Sequence, residues 1–393
     1  MAINPVTLEL LRHAFDSVAE QMTAALTRAS LADNLPATVL IHGGPGCGKQ
    51  ALALWLAQLR LCEAADAEGP CGSCKSCRFA TRLQHPDIHW YFPLPRPKGV
   101  SGPEKLARAL EEARQEQLAE YRRNSLRPTR GAEVRGLYLA QILDLRRAAQ
   151  KRPAVGDEQV FVVGDAEHLV PQEASPEAAN ALLKLLEEPP GGCRFVLTSS
   201  RPESLLETIR SRSLELHLPP LSAEEVAAFL VRHAAAEPAA ARSAARAGDG
   251  SIGLALGHLD PEGEVATRRQ DAFDLLKSAM TGRRADLYAL ALSYAPSGAR
   301  ALVDVLADVQ GWIRDLSVAA LDTSGGNPMG DLADVRALGE LVGKVPLAPP
   351  QAAAAVDRVE WARTLAEANV NPQLLMSSLL LDLHETFKGD PSR

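Results

Sequence analysis

The chain has 393 residues, 46% of them hydrophobic and 23% charged, with a net charge of −7, a composition that allows two or three globular domains. The acidic balance argues against a protein that wraps nucleic acid unaided, and an aromatic content of 4% argues against a base-stacking surface. Charge interrupts every apolar stretch before membrane-spanning length, and Met1-Ala2-Ile3-Asn4-Pro5 lacks the basic start of a signal peptide, so a cytoplasmic protein with no membrane partner is expected.

The apolar run Thr38-Val39-Leu40-Ile41-His42 reads as a strand. It leads into Gly43-Gly44-Pro45-Gly46-Cys47-Gly48-Lys49, which follows the phosphate-loop pattern G-x-x-x-x-G-K. A helix over 51–62 follows, with Leu52, Trp55, Leu56 and Leu59 on one face. Backbone N–H groups in such a loop form an anion nest at a helix N-terminus, and Lys49 would reach the β- and γ-phosphates. The residue after the lysine is ordinarily Ser or Thr, whose hydroxyl holds Mg²⁺. Here it is Gln50, so the site is degenerate and its binding of ATP or ADP is left open.

Cys62, Cys71, Cys74 and Cys77 stand in a C-x8-C-x2-C-x2-C pattern. Two short C-x2-C steps present sulfurs from tight turns, which suits a closed tetrahedral Zn²⁺ site of structural type. Disulfides do not suit a cytoplasmic chain, and the spacing fits an iron–sulfur cluster less well. Cys47 and Cys193 read as packing cysteines.

Further strands are expected at 87–90, 160–163 and 195–198, with helices over 138–152 and 177–188 between them. Strands alternating with helices imply a parallel sheet covered on both faces. Between Pro93 and Glu133 lies a polar excursion with one helix over 103–121; its basic residues Lys98, Lys105, Arg122, Arg123, Arg127 and Arg130 read as a solvated surface or, less simply, a DNA contact. The second apolar strand ends in Gly164-Asp165-Ala166. Asp165 stands where an ATPase carries its acidic partner, but Ala166 occupies the place of the water-polarising glutamate, and Glu167 comes one residue late. Phosphoryl transfer rests on positioning, so these displacements argue against hydrolysis.

A helix beginning near Pro202 leads to Ile209-Arg210-Ser211-Arg212-Ser213. An arginine at the edge of such a domain can reach a neighbouring subunit. Ser222 opens a small helical region that ends near Leu259, and an Ala- and Leu-rich helical region runs from Val265 to Phe387, with loops at 324–328 and 346–350.

The order of motifs is phosphate loop, four-cysteine knuckle, His85-Pro86-Asp87, Val163-Gly164-Asp165-Ala166, the run from Asn180 to Pro190, and Ser211-Arg212-Ser213. It resembles the AAA+ clamp-loader subunits of bacterial DNA polymerase III, and among them the delta-prime family. The resemblance covers about residues 20–260 and, more weakly, a late Asn369-Val370-Asn371-Pro372 segment. It implies an α/β AAA+ domain over 1–219 with a zinc module at 62–77, a helical lid over 220–262 and an all-α collar over 263–393. Its implied partners are gamma/tau motor subunits and delta in a hetero-pentamer, with the sliding clamp and primed DNA reached through the complex. Arg212 would act in trans on a neighbour's ATP, and Cys62, Cys71, Cys74 and Cys77 would hold the zinc.

The lid departs from the motor subunits too. Their G-S-x-R pattern becomes Gly250-Ser251-Ile252-Gly253, with glycine where a phosphate-facing arginine belongs. The expectation is therefore a scaffold subunit of a DNA-directed DNA polymerase holoenzyme, with no ATPase or polymerase activity of its own. The alternatives are an active gamma/tau-like ATPase and a stand-alone zinc-dependent DNA-binding protein.

Overall fold

The computed structural model describes residues 18–123, 135–169, 177–260, 263–321, 347–368 and 370–389. The expectations placed on Met1 to Pro5, Arg127, Arg130, Asn369 and the loop at 324–328 lie outside the described residues. The chain divides into two compact units, one ending at Leu259 and one starting at Asp260.

The first unit is built on five parallel strands: β1 (Thr38–His42), β2 (Ile88–Tyr91), β3 (Gln159–Val163), β4 (Cys193–Ser199) and β5 (Leu214–His217), in the order β2-β3-β4-β1-β5. β1 lies in register with β4 from Thr38↔Phe195 to His42↔Ser199. Because strand side chains alternate, the inner strands β1, β3 and β4 each feed two cores. Val39, Ile41, Val160, Val162 and Val196 enter one apolar cluster, whereas Leu40, Phe161, Val163, Phe195 and Leu197 enter the other. Sheets of parallel strands are buried on both faces in this way, which is why these strands read as unbroken apolar runs.

Helices α1 (Val18–Leu31), α2 (Lys49–Leu61), α3 (Lys75–Thr81) and α4 (Pro103–Arg123) precede α5 (Leu139–Ala149), α6 (Glu177–Glu187) and the one-turn α7 (Glu207–Arg210). Helix α2 buries Leu52, Trp55, Leu56 and Leu59, as its spacing requires. Several elements of this unit were not foreseen from the residues, among them α1, α3 and β5. β5 carries Glu215 and His217 on an exposed edge. The helix expected to begin near Pro202 is instead a single 3₁₀ turn, Pro202–Ser204, then Leu205 and Leu206 in extended conformation, then α7.

Three short helices close the unit: α8 (Ala223–His233), α9 (Pro238–Ala247) and α10 (Ile252–His258). Ser222 caps α8 reciprocally with Glu225, and Ser251 caps α10 by accepting from Leu254 N–H. Their apolar side chains Val226, Phe229, Leu230 and Ala255 belong to the same cluster as Leu52 and Trp55.

The second unit is helical: α11 (Glu264–Thr281), α12 (Arg284–Leu292), α13 (Leu302–Leu321), α14 (Pro349–Glu367) and α15 (Pro372–Lys388). Pro349 and Pro350 open α14 rather than belonging to a loop, since proline fits the first helical turn, where no N–H partner is needed. Asn371 caps α15, with Pro372 following it. No helix among the described residues is long and apolar enough to cross a membrane.

Phe161 is fully buried on the interior strand β3, stacked between His89 and Phe195 at centroid distances of 4.8 and 5.5 Å. Phe161→Ala leaves a cavity that the neighbouring strands cannot fill, so it lowers stability by about 3–5 kcal/mol. Urea denaturation followed by far-UV circular dichroism measures the loss.

Candidate functional site

The carboxyl ends of β1, β3 and β4 bring three parts of the sequence together. They are the glycine loop after β1, Gly164-Asp165 after β3, and Ser200 after β4. In open parallel sheets this edge is where ligand sites form.

Lys49, the first residue of α2, is 4% exposed. Its ammonium donates to the carbonyl oxygens of Gly43 at 2.9 Å and Gly44 at 2.7 Å and to Ser200 Oγ at 3.0 Å. An ammonium has three hydrogens to give, and here all three are taken by the chain itself. The side chain that would reach a phosphate is folded back onto its own loop.

Gln50 and Asp165 also meet. Gln50 Nε2 donates to Asp165 Oδ2 at 2.8 Å. Gln50 reaches that carboxylate because residue 164 is glycine: a β-carbon there would lie 2.7 Å from Gln50 Oε1. Where an ATPase places a hydroxyl and a metal against the strand-end aspartate, this chain places an amide. Asp165 sits at φ 48 and is anchored by its N–H to Thr198 Oγ1 at 2.9 Å. Ala166 then turns into the core, and Glu167, 7% exposed, accepts from Ser200 N–H at 2.9 Å. The late glutamate is spent on holding the loop that carries Ser200.

The third contribution comes from the helices after β5. Gly253 N–H donates to Gly46 O at 3.0 Å. A β-carbon on Gly253 would stand 3.1 Å from Gly46 Cα, so a long side chain here would force the two backbones apart. Gly253 thus lets α10 rest directly on the glycine loop. Burial raises the pKa of the Cys47 thiol beneath the loop, against the opposing pull of Lys49.

The four cysteines converge below α2. Cys62 caps the C-terminus of α2, Cys74 caps the N-terminus of α3, and the four sulfurs lie within 4.8 Å of one another. A ZnS₄ tetrahedron with bonds of about 2.3 Å has edges of about 3.8 Å, and the Cys71–Cys77 sulfur distance is 4.0 Å. Each step around the knuckle points a backbone N–H at a sulfur: Cys71 to Cys62 at 3.3 Å, Cys74 to Cys71 at 3.4 Å and Cys77 to Cys74 at 3.3 Å. Such donors favour thiolates, and those from Cys74 and Ser73 bring the Cys71 thiol down to about 6. Burial pushes the Cys77 thiol the other way. The donor set and its spacing fit a soft, tetrahedral divalent metal.

Arg212 lies elsewhere, in the turn between α7 and β5. Its side chain is 39% exposed, pairs with Glu187 Oε1 at 3.0 Å and donates to Thr208 O at 3.0 Å. The remaining motifs serve structure. Asp87 accepts from Ala154 and Val155 N–H, and its own N–H donates to His85 Nδ1. In the polar excursion, Arg122 is bound to Leu83 O through two nitrogens.

A parallel sheet in this order, with a phosphate loop after its fourth-placed strand and an acidic residue after its second, defines an AAA+-type P-loop domain whose nucleotide residues depart from the hydrolytic pattern. The family model described as "DNA polymerase III, delta subunit" matches residues 18–222, just over half of the chain, and the chain belongs to this family of clamp-loader delta' proteins. DNA polymerase III subunit delta' of Pseudomonas aeruginosa is 31% identical over 59% of this chain and 58% of its own length. The Bacillus subtilis subunit delta' is 28% identical over 49% of this chain and 45% of its length. Subunit tau of Escherichia coli is 29% identical over 70% of this chain and 36% of its length. The chain thus spans about half or less of the length of the curated relatives it matches. Among solved structures, a gamma-subunit-related protein from Thermotoga maritima aligns with 92% of this chain and 99% of its own at 14% identity, with a TM-score of 0.36.

Gly46 takes φ 71, and a β-carbon there would stand 2.3 Å from Ser251 Oγ. Gly46→Ala therefore strains the loop and lifts α10 off it, at a cost of about 1–3 kcal/mol. Thermal unfolding reads the cost, and faster hydrogen exchange at Gly253 N–H, which donates to Gly46 O, reads the displaced helix.

Proposed function

We propose that this chain is a delta'-type subunit of a DNA polymerase III clamp loader: a non-hydrolysing AAA+ scaffold that lends Arg212 to a neighbour's ATP site. The observation that carries the reading is the self-satisfied glycine loop. Lys49 donates to Gly43, Gly44 and Ser200, and Gln50 occupies the Asp165 carboxylate. For nucleotide to enter, a buried ammonium must give up three acceptors, and the Gly253–Gly46 contact must open. A hydrolytic site would in addition need a Mg²⁺ ligand where Gln50 stands and a water-polarising carboxylate where Ala166 stands.

In this reading the chain's labour is divided among three domains. The domain over 1–219 is the AAA+ body, 220–262 the lid resting on its loop, and 263–393 the helical collar that joins motor subunits of gamma/tau type and a delta subunit. Together these act on the sliding clamp and primed DNA. Arg212 is a permanent cation on an exposed turn after α7. Against a neighbour's transferring phosphoryl group, its guanidinium would stabilise the charge that spreads over the equatorial oxygens. Cys62, Cys71, Cys74 and Cys77 would hold Zn²⁺, which supplies a closed tetrahedral staple tying the end of α2 to α3.

Three outcomes test this reading. The purified chain shows no ATP turnover above background, whereas an active gamma/tau-like ATPase would hydrolyse ATP and lose that activity in Lys49→Ala. In a loader reconstituted with its motor subunits, Arg212→Ala leaves assembly intact and lowers clamp- and DNA-stimulated ATPase by about tenfold or more; an unchanged rate removes the trans role. Metal analysis gives one zinc per chain, and Cys77→Ser loses it; a ratio well below one contradicts the structural zinc.

A further inference from the structure

We propose that Glu187 is a positioning residue for Arg212, holding its guanidinium in the orientation in which it is offered to the adjacent subunit; this rests on the trans-arginine reading above. Glu187 is the last residue of α6, directly before Glu188-Pro189-Pro190. A carboxylate at that end of a helix meets the negative pole of the backbone dipole, so helix stability does not account for it. What it does meet is a cation from another element: Arg212 Nη2 lies 3.0 Å from Glu187 Oε1. Nη1 of the same guanidinium donates to Thr208 O at 3.0 Å. The two contacts come from separate elements, α6 and α7, and grip one group from two sides.

The backbone beneath the side chain is fixed as well. Arg212 N–H donates to Ile209 O at 3.3 Å, Ser213 N–H to Arg210 O at 3.0 Å, and Ser213 Oγ to Ile209 O at 2.8 Å. Arg210, two residues away, is drawn aside by Glu215 at 3.0 Å. The two arginines of the turn are thereby sorted: one is tied to its own strand edge, the other is held by α6.

A guanidinium carries five N–H donors. With Nη1 on Thr208 and Nη2 on Glu187, its other donors stay available to an incoming anion. A free arginine would have to give up its rotamer freedom when the neighbour's phosphate arrives. One already held can act at lower entropic cost, which is the advantage of preorganised electrostatics. Glu187 touches neither nucleotide nor phosphate in this account; it acts only through Arg212.

The test is steady-state ATPase of the reconstituted loader with four versions of this chain: wild type, Glu187→Gln, Glu187→Asp and Arg212→Ala. Glu187→Gln keeps the size and removes the charge. It is expected to lower kcat by about tenfold with KM for ATP unchanged, while Glu187→Asp recovers part of the rate. The double variant Glu187→Gln/Arg212→Ala is expected to be no slower than Arg212→Ala alone, because both act through one group. A slow Arg212→Ala with a wild-type or faster Glu187→Gln overturns the positioning role and leaves the trans arginine standing. A double variant slower than Arg212→Ala also overturns it. An Arg212→Ala loader with unchanged rate instead removes the reading on which the inference rests.

Discussion

A lysine ammonium taken out of water must find acceptors for its hydrogens, and the architecture around the glycine loop follows from how Lys49 finds them. Burying such a charge without partners is prohibitive. Here the acceptors are two loop carbonyls and Ser200 Oγ, so the three hydrogens are satisfied inside the chain. Ser200 is itself held by Glu167, the glutamate that arrives one residue late after β3. The displaced acid and the retained lysine thus form one connected network. Together they pack one corner at the carboxyl edge of the sheet.

Closing that corner has consequences on both sides. On one side, Gly253 carries no side chain, and the backbone of α10 meets Gly46. On the strand side, Gln50 spans to Asp165 across Gly164. Arg212 stands apart from this corner, on a turn tied to α6 and α7.

Much of this was legible in the residues, and the limits have physical causes. Strands buried on both faces announce themselves as apolar runs, so Thr38–His42 and the core of β3 and β4 were readable directly. The cysteine spacing foretold a local cluster because C-x2-C steps leave a turn few ways to point its sulfurs. β5 was missed because an edge strand need bury only one face, and its Glu215 and His217 hide the pattern. The helix expected at Pro202 broke because Leu205 and Leu206 are drawn into extended conformation beside the core. Which partner each functional side chain would take was beyond reach. Nothing in the spacing says that Gln50 meets Asp165, that Glu167 holds Ser200, or that Glu187 holds Arg212, since each pair joins segments far apart in sequence.

The central claim is that the nucleotide cradle of this chain is satisfied by its own side chains. Calorimetric titration of the isolated protein with magnesium-ATP addresses it directly. The account predicts no saturable heat up to millimolar nucleotide. Stoichiometric, magnesium-dependent binding that disappears in Lys49→Ala would contradict it.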